Sequence, residues 1–478
     1  MFYSIAMKEY KIYSAGEFIT TQTELEIQNP YSGEIFAKTW LADKQVLENS
    51  IATAQNVQEK MAELPVYERF EILRYLSDKI KEKRQYLGEV LAKESGKPIR
   101  YALGEIDRAS QTFLVAAEEC KRIPGEVMSL DWTKPGAGKE GIVKYFPIGL
   151  VAGISPFNFP MNLAVHKIAP AIAAGCPIIL KPASSTPLST LELAKIIAET
   201  SLPKGSVSIL PMDRSTGNQL VTDERFNLLT FTGSPVVGWK MKAQAGKKKV
   251  VLELGGNAGA LIASDADIDK ALDRCMLGAF AYSGQVCIHA QRFFVDESLF
   301  DEFTEKMIAR TKKLKAGDPL DSETEISAMI DLENAKRVNN WVQDSVAKGA
   351  IILTGGKQNG SYFEASILTN TSNEMAVCSE EIFGPVITIE KVSSFEEGIA
   401  QVNNTRFGLQ AGVFSFDQRN IGYAFRKLKV GGVMINDVPI FRVDHMPYGG
   451  IKDSGLGREG LKYSIHDMME PKILVKSF

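Results

Sequence analysis

The chain is poor in the residues that build metal centres and covalent cross-links: 478 residues hold five cysteines and four histidines. Cys120, Cys176, Cys275, Cys287 and Cys378 are odd in number, widely spaced and free of any CxxC pair, so they form neither a disulfide framework nor a zinc cage. No two of His166, His289, His445 and His466 stand at ligand spacing on a helix, and no metal is expected. Charge of one sign is also lacking. A net charge of -3 leaves no electrostatic footprint for nucleic acid or an anionic membrane surface. Long hydrophobic runs are missing too. No stretch reaches about 18 apolar residues, and the mixed-charge start MFYSIAMKEYKIY is no secretory segment. These absences make a reducing cytoplasm the expected compartment, and small molecules or further copies of the chain the expected partners, with no nucleic acid and no membrane.

What is present is an ordinary globular composition, 24% charged and 45% apolar. At roughly 150 residues per domain the length implies two or three domains. From about Ala42 to Ser95 apolar residues recur at three and four spacing, ended by Gly96 and Pro98, and a second amphipathic stretch runs from about Ala102 to Glu119. From Ile142 the rhythm changes to short apolar runs alternating with helical stretches: VKYF, VAGIS, PIILK, VSILP, LLTFT and KKVVLELG. Such alternation predicts right-handed βαβ crossovers and a mostly parallel sheet. A second series, from ALIAS through AIILTG to VFSF, predicts another α/β lobe. The terminal KILVKSF reads as an exposed edge strand able to pair with another subunit.

Parallel sheets bind ligands beyond the carboxyl ends of their strands. Four segments fall there: ISPFNFP (154–160), LKPASSTP (180–187), FTGSPVVG (231–238) and LELGGN (252–257). Lys181, emerging from a buried strand, is costly unless its ammonium meets a hydroxyl or phosphate or escapes to solvent. Ser234 after Gly233 places free N–H groups at a helix start, suited to a phosphate or to a plain N-cap. Two literal GxGxxG strings, GAGKEG at 136–141 and GLGREG at 455–460, lack a preceding strand and read as turns. Cys287, in AYSGQVCIHAQR, is by its own neighbours a nucleophile, half of a Cys-His pair with His289, or a buried thiol.

The set PFNFP, KPA, FTGS, LELGGN, GQVC, EEIFGP, NTRFGL and PYGGIKDSGLGREG, in this order, resembles the aldehyde dehydrogenase superfamily from NPYSGE at Asn29 to the terminal strand. The resemblance implies a Rossmann-like nucleotide-binding α/β domain (1–121 and 145–251), a catalytic α/β domain (252–441), and a small oligomerisation element with a C-terminal segment (122–144 and 442–478). It also implies a homodimer or homotetramer. Residue by residue, it makes Cys287 the nucleophile, Glu253 the general base and Asn158 the oxyanion donor. Lys181 and Ser184 would face the ribose, Gly233 and Ser234 the pyrophosphate, and Ile154, Ser155, Phe157 and Leu254 would line the cofactor site. Glu381 and Phe383 would clamp the nicotinamide ribose. The chemistry needs these types: an oxyanion needs preorganised donors, and a thioester needs a water activated by a carboxylate.

NAD-preferring members often carry an acidic residue three positions after the KPA lysine; here it is Ser184, so NADP is expected to be accepted and preferred over NAD. FRVDHMPYGG and AYSGQVC resemble the branch of lactaldehyde, non-phosphorylating glyceraldehyde-3-phosphate and succinate-semialdehyde dehydrogenases, implying a small polar or anionic aldehyde. Arg108 and Arg442 are candidates to grip its carboxylate or phosphate, with interdomain or subunit salt bridges as their alternative. His289 replaces the small residue common two positions after the cysteine, and is expected at the substrate pocket. The rival readings are a CoA-acylating relative, a Cys-His hydrolase or transferase, and a catalytically silent relative; the last is disfavoured because nucleophile and base are both present.

Overall fold

The computed structural model describes residues 7–478. Two α/β sheets dominate, each built from parallel strands with buried, apolar runs. The first, eight-stranded, contains Val151–Ile154, Ile178–Lys181, Val207–Ile209, Leu228–Thr232 and Lys249–Glu253 in parallel. Ile12–Ser14 and Glu17–Ile19 extend one edge antiparallel, and Gly455–Leu456 closes the other against Leu252 and Glu253. The second, seven-stranded, sheet holds Ala258–Ile262, Ala290–Asp296, Val386–Val392, Gln410–Phe414, Ser366–Thr369 and Gly432–Ile435 in parallel, with Ile351–Thr354 antiparallel at its edge. A three-stranded antiparallel sheet joins Glu126–Ser129, Lys139–Pro147 and the terminal Met469–Ser477.

The amphipathic stretch expected between Ala42 and Ser95 is three helices, Lys44–Glu63, Val66–Glu82 and Arg84–Ser95, because Pro65 cannot continue the first and Lys83 breaks the second. The second stretch is the helix Ile99–Cys120. Together with Pro160–Ala174, whose every residue is buried, Val66–Glu82, Arg84–Ser95 and Ile99–Cys120 cover one face of the first sheet, while Lys44–Glu63 packs on the other through Leu47, Ile51 and Ala54. Two of the expected chain divisions fall within strands. The one at 144/145 falls inside the strand Lys139–Pro147, and the one at 251/252 inside Lys249–Glu253. Both follow from hydrogen-bond ladders that run past the point where composition changes. The segment 442–478 also returns Gly455–Leu456 to the first sheet before reaching the three-stranded one. Among the described residues, no helix is long and apolar enough to cross a membrane.

Candidate active site

In the first sheet the chain lays down Val151–Ile154, Ile178–Lys181 and Val207–Ile209 in one direction, then returns to place Leu228–Thr232 and Lys249–Glu253 on the other side of Val151–Ile154. The order therefore reverses between Val151–Ile154 and Leu228–Thr232. At such a switch point the two following loops diverge and leave a crevice. The loops leaving it here are ISPFNFP and FTGS. Register aligns the strand ends on one rim, with Ile154 beside Lys181 and Phe231, and Thr232 beside Glu253.

Cys287 lies across that rim, between the helix Ile268–Phe280 and the strand Ala290–Asp296 of the second sheet. The loop reaches it through Tyr282, Ser283 and Gly284, at φ 48°, 51° and 68°. Two non-glycine residues in this region cost about 1–3 kcal/mol each and need fixed surroundings. They have them. Tyr282 Oη donates to Ser95 O at 2.9 Å and Ser283 Oγ to Ser327 O at 2.8 Å, while a Cβ on Gly284 would overlap the Gly384 carbonyl. Burial pushes the Cys287 thiol up to about 11, against the Tyr448 phenol, whose Oη lies 3.1 Å from Sγ.

Asn158 is buried and its Nδ2 donates to Gln285 O at 3.1 Å, two residues before the cysteine. An amide NH₂ has two donors, so this bond fixes its orientation and leaves one N–H to spare. The Asn158 carbonyl in turn accepts from Lys97 Nζ at 2.7 Å. Lys97 is fully buried, paired with Glu105, and sits 3.8 Å from the Phe159 ring centroid and 4.4 Å from that of Tyr282. Glu105 also accepts from the N–H groups of Met161 and Asn162, at 3.0 and 3.1 Å, capping a helix whose N-cap Phe159 offers no side-chain acceptor. One ion pair thus ties the oxyanion candidate's loop to the nucleophile's loop.

Glu253 ends its strand 3% exposed, with neither carboxylate oxygen hydrogen-bonded. Burial first, then the nearby Glu459, raises its pKa well above the usual carboxylate range, against Arg442 and Lys167. Glu459 is engaged: Lys167 Nζ lies 3.4 Å from one oxygen and Arg442 Nη2 donates to the other at 2.9 Å. Despite burial, these cations hold it below the ordinary range. Lys167 also donates to Thr232 Oγ1 at 2.7 Å. A poised, unpartnered carboxyl beside a locked, ionised one resembles the split roles of acid and base pairs.

Both glycines of LELGG are required by close approach. A Cβ on Gly255 would overlap the Glu381 carboxylate, and one on Gly256 the Cys287 carbonyl. Glu381 accepts from Gly256 N at 2.9 Å, and burial raises its pKa to about 7. Phe383, at φ 43°, sets its ring edge-to-face against Phe157, centroids 5.7 Å apart. Leu254 N donates to Ser454 O, Gly233 N to Glu253 O and Ser155 N to Lys181 O, all at 3.0 Å, while Ile154 is buried in the core beneath.

These residues fit a nicotinamide dinucleotide by what they leave open. Ser155 Oγ is buried without a partner. Ser234 makes no side-chain cap on Pro235–Gln244, so that helix start keeps its N–H groups free. Burial lowers the pKa of Lys181, whose ammonium reaches only Pro182 O at 3.4 Å; Asp213 and Arg214 are the nearest charges. Asp213 is itself turned to Thr216 N at 2.6 Å. Ser184 is half-buried beside this strand end.

Of the three substrate candidates, Arg108 Nη2 donates to Asp444 Oδ1 at 2.6 Å, and the same oxygen lies 2.8 Å from His166 Nε2. Arg442 reaches Glu459 and, at 3.3 Å, His166, with its guanidinium 3.7 Å from the Tyr448 ring centroid. Both arginines therefore carry ion pairs within the chain, Arg108 with Asp444 and Arg442 with Glu459, and both sit in one network around His166. His289 is drawn elsewhere: its Nε2 lies 2.8 Å from the Ala279 carbonyl, at the end of Ile268–Phe280, and burial drops its pKa to about 4. No hydrogen bond joins it to Cys287, which leaves the pair expected of a Cys-His enzyme unformed.

Sequence reasoning passed over Lys97, Glu105, Lys167, Tyr448 and Glu459. A signal existed for Lys167: a lysine inside the apolar helix PMNLAVHKIAPAIAA is as costly as Lys181 in its strand. The GLGREG string, read as a turn, instead places Gly455–Leu456 as an edge strand of the first sheet, because its backbone pairs with Leu252 and Glu253, and its Glu459 and the nearby Gly449, where a Cβ would stand 2.8 Å from Glu253 Oε1, wall the Glu253 pocket.

The profile of the aldehyde dehydrogenase family matches residues 18–474. The chain is 40% identical over 470 residues to 3-sulfolactaldehyde dehydrogenase of Priestia aryabhattai, covering 98% of each chain. It is 45% identical to the solved structure of aldehyde dehydrogenase 21 from Physcomitrella patens in complex with the reaction product succinate, at a TM-score of 0.97 over 99% of each chain. Glyceraldehyde-3-phosphate dehydrogenase GapN from Methanocaldococcus jannaschii, complexed with NADP, shares 38% identity and a TM-score of 0.92, over 96% of this chain and all of that one (100%). The switch-point crevice, the thiol across it and these likenesses agree: the chain belongs to the aldehyde dehydrogenase family and is an NAD(P)-dependent aldehyde dehydrogenase.

Proposed function

We propose that this enzyme oxidises a small aldehyde bearing an anionic group, uses NADP in preference to NAD, and works through Cys287, Asn158 and Glu253. The observation that carries the reading is Asn158 held by Gln285 O in the loop that presents Cys287, with the unpartnered Glu253 carboxyl in the same field of charges.

Glu253 takes the thiol proton, directly or through a water, and the thiolate attacks the carbonyl carbon. The developing oxyanion is met by the free Asn158 N–H and the Cys287 backbone N–H, positioned before reaction and therefore at no reorganisation cost. NAD(P), when bound, supplies the hydride acceptor for the tetrahedral carbon. The chain's share in that is positioning: Ser155, Lys181 and Ser234 hold the dinucleotide, while Glu381 and Phe383 fix the nicotinamide ribose. The acyl group left on Cys287 is hydrolysed by a water that Glu253 deprotonates, its anionic form supported by Lys167 and Arg442 and opposed by Glu459.

For the cofactor, Lys181 and Arg214 stand ready for a 2′-phosphate, and no carboxylate occupies position 184. The Priestia and Methanocaldococcus relatives are named for sulfonated and phosphorylated aldehydes, and the Physcomitrella protein holds succinate. That common anionic end supports Arg108 as its grip, the substrate anion competing with Asp444, while Arg442 stays committed to Glu459. The half-exposed apolar strand Met469–Ser477 supports a homodimer or homotetramer. Comparing kcat/KM for succinate semialdehyde and an uncharged aldehyde of equal length, each with NADP and NAD, tests the reading. Ser184→Glu should cut the NADP value by about 10²-fold, the scale of a like-charge juxtaposition. A wild-type preference for NAD or for the uncharged aldehyde would refute it.

A further inference from the structure

Glu253 receives the thiol proton, but nothing assigned so far stabilises the thiolate left behind. Burial raises the Cys287 thiol to about 11, and the largest influence opposing that rise is the Tyr448 hydrogen bond. Among the described residues, the hydrogen-bond partner of Sγ is the phenol of Tyr448, 3.1 Å away. Tyr448 is itself buried, among Tyr282, Val286, Ile288 and Leu409, so its O–H has no water to turn to. The Arg442 guanidinium lies on the ring face, fixed by Glu459 and His166. A cation on that face draws electron density from the ring and strengthens the O–H as a donor.

We propose that Tyr448 is a catalytic residue: its O–H donates to the Cys287 sulfur and stabilises the thiolate that attacks the aldehyde, with Arg442 polarising the ring. The proposal deepens the reading of Cys287 as nucleophile and rests on it. Protons balance simply. Glu253 receives the thiol proton, and Tyr448 keeps its own, since burial and the adjacent sulfur hold its pKa well above the ordinary phenol value. As the C–S bond forms, negative charge passes from sulfur to the carbonyl oxygen and into the bonds from Asn158 and the Cys287 N–H. The Tyr448 bond is thus strongest before attack. It raises the thiolate fraction more than it dulls the sulfur, because nucleophilicity falls less than proportionally with pKa. The charges facing the sulfur are Glu381 and Glu253, which oppose ionisation, and Arg442, which favours it.

Tyr448→Phe keeps the ring, its packing and its stack on Arg442, and removes only the O–H. The experiment is alkylation of the cofactor-free enzyme by iodoacetamide across pH, with peptide mass mapping; Cys120, Cys176, Cys275 and Cys378 are buried and do not compete. The expected result is an apparent thiol pKa raised by about one unit, as for a hydrogen bond to a charged group. Alkylation should be about threefold slower at neutral pH and about threefold faster on the alkaline plateau, where the thiolate without its donor is the stronger nucleophile, with a kcat/KM loss that shrinks as pH rises. An unchanged alkylation profile beside an activity loss constant in pH overturns the proposal and leaves Tyr448 an orienting wall. If Tyr448→Phe melts before it can be assayed, 3-fluorotyrosine at 448, a more acidic donor, must lower the thiol pKa, and no shift overturns the proposal equally. Alkylation needs no turnover, so these outcomes are separate from failure of the nucleophile assignment, which Cys287→Ala retaining activity would reveal.

Discussion

Glu253 and Glu459 are both buried carboxyls at one rim, yet one is hydrogen-bonded by Lys167 and Arg442 and the other by nothing. In the proposed mechanism that difference lets one serve as a structural anion and the other as a base that gains and loses a proton. Asn158 shows the same logic for a neutral group, one N–H spent on Gln285 O and one retained. Losing a single oxyanion donor typically costs about 10²–10³ in kcat. Asn158→Ala is therefore expected to lower kcat by that factor while leaving the Kd for NADP, measured by fluorescence quenching, unchanged; a kcat within a few-fold of wild type would remove Asn158 from the site. At this scale the sequence placed Lys181 and Glu253 at strand ends, where the structure has them. It was silent on Lys97, Tyr448 and Glu459, whose roles depend on which distant groups they meet. His289 misled for the same reason: its spacing from Cys287 suggested a shared face, but the Ala279 carbonyl claims the ring.

Among elements, the loops carry the chemistry and the helices and strands hold them to fixed heights. The alternation of apolar runs located the parallel strands well, because strands buried on both faces read as short uninterrupted stretches. It did not locate the proline break at Pro65 inside the first amphipathic stretch or the antiparallel strands near the start, which follow from packing against the sheet edge. The terminal strand was legible as an edge. Ile473, Leu474 and Val475 are 48%, 56% and 48% exposed, so successive residues on both faces of this strand are uncovered. Apolar strand edges of this kind invite pairing with another chain. Light scattering is expected to give a dimer or tetramer, and Ile473→Asp with Val475→Asp a smaller species with the same far-ultraviolet circular dichroism; a wild-type monomer would contradict the assignment.

In the whole molecule, two sheets face each other across a cleft so that the switch point of one opposes the nucleophile loop of the other. The Asn158–Gln285 bond, the Lys97 ammonium over the Tyr282 ring and the Phe157–Phe383 contact bridge that cleft, which is why motifs far apart in sequence come together. The general plan was legible because eight motifs in order are specific; which side chains close the site was not, since three-dimensional proximity leaves no mark in spacing. In the proposed mechanism the aldehyde is oxidised while bonded to Cys287 and released by water that Glu253 activates. Glu253→Gln, isosteric and unable to take a proton, should still form the acyl-enzyme whenever the thiol ionises, but should not hydrolyse it. Intact-protein and peptide mass spectrometry of this variant with NADP and succinate semialdehyde is the direct measurement. The account predicts an acyl adduct accumulating on Cys287, in step with a single equivalent of reduced nicotinamide; steady turnover with no adduct, or an adduct on another residue, would contradict it.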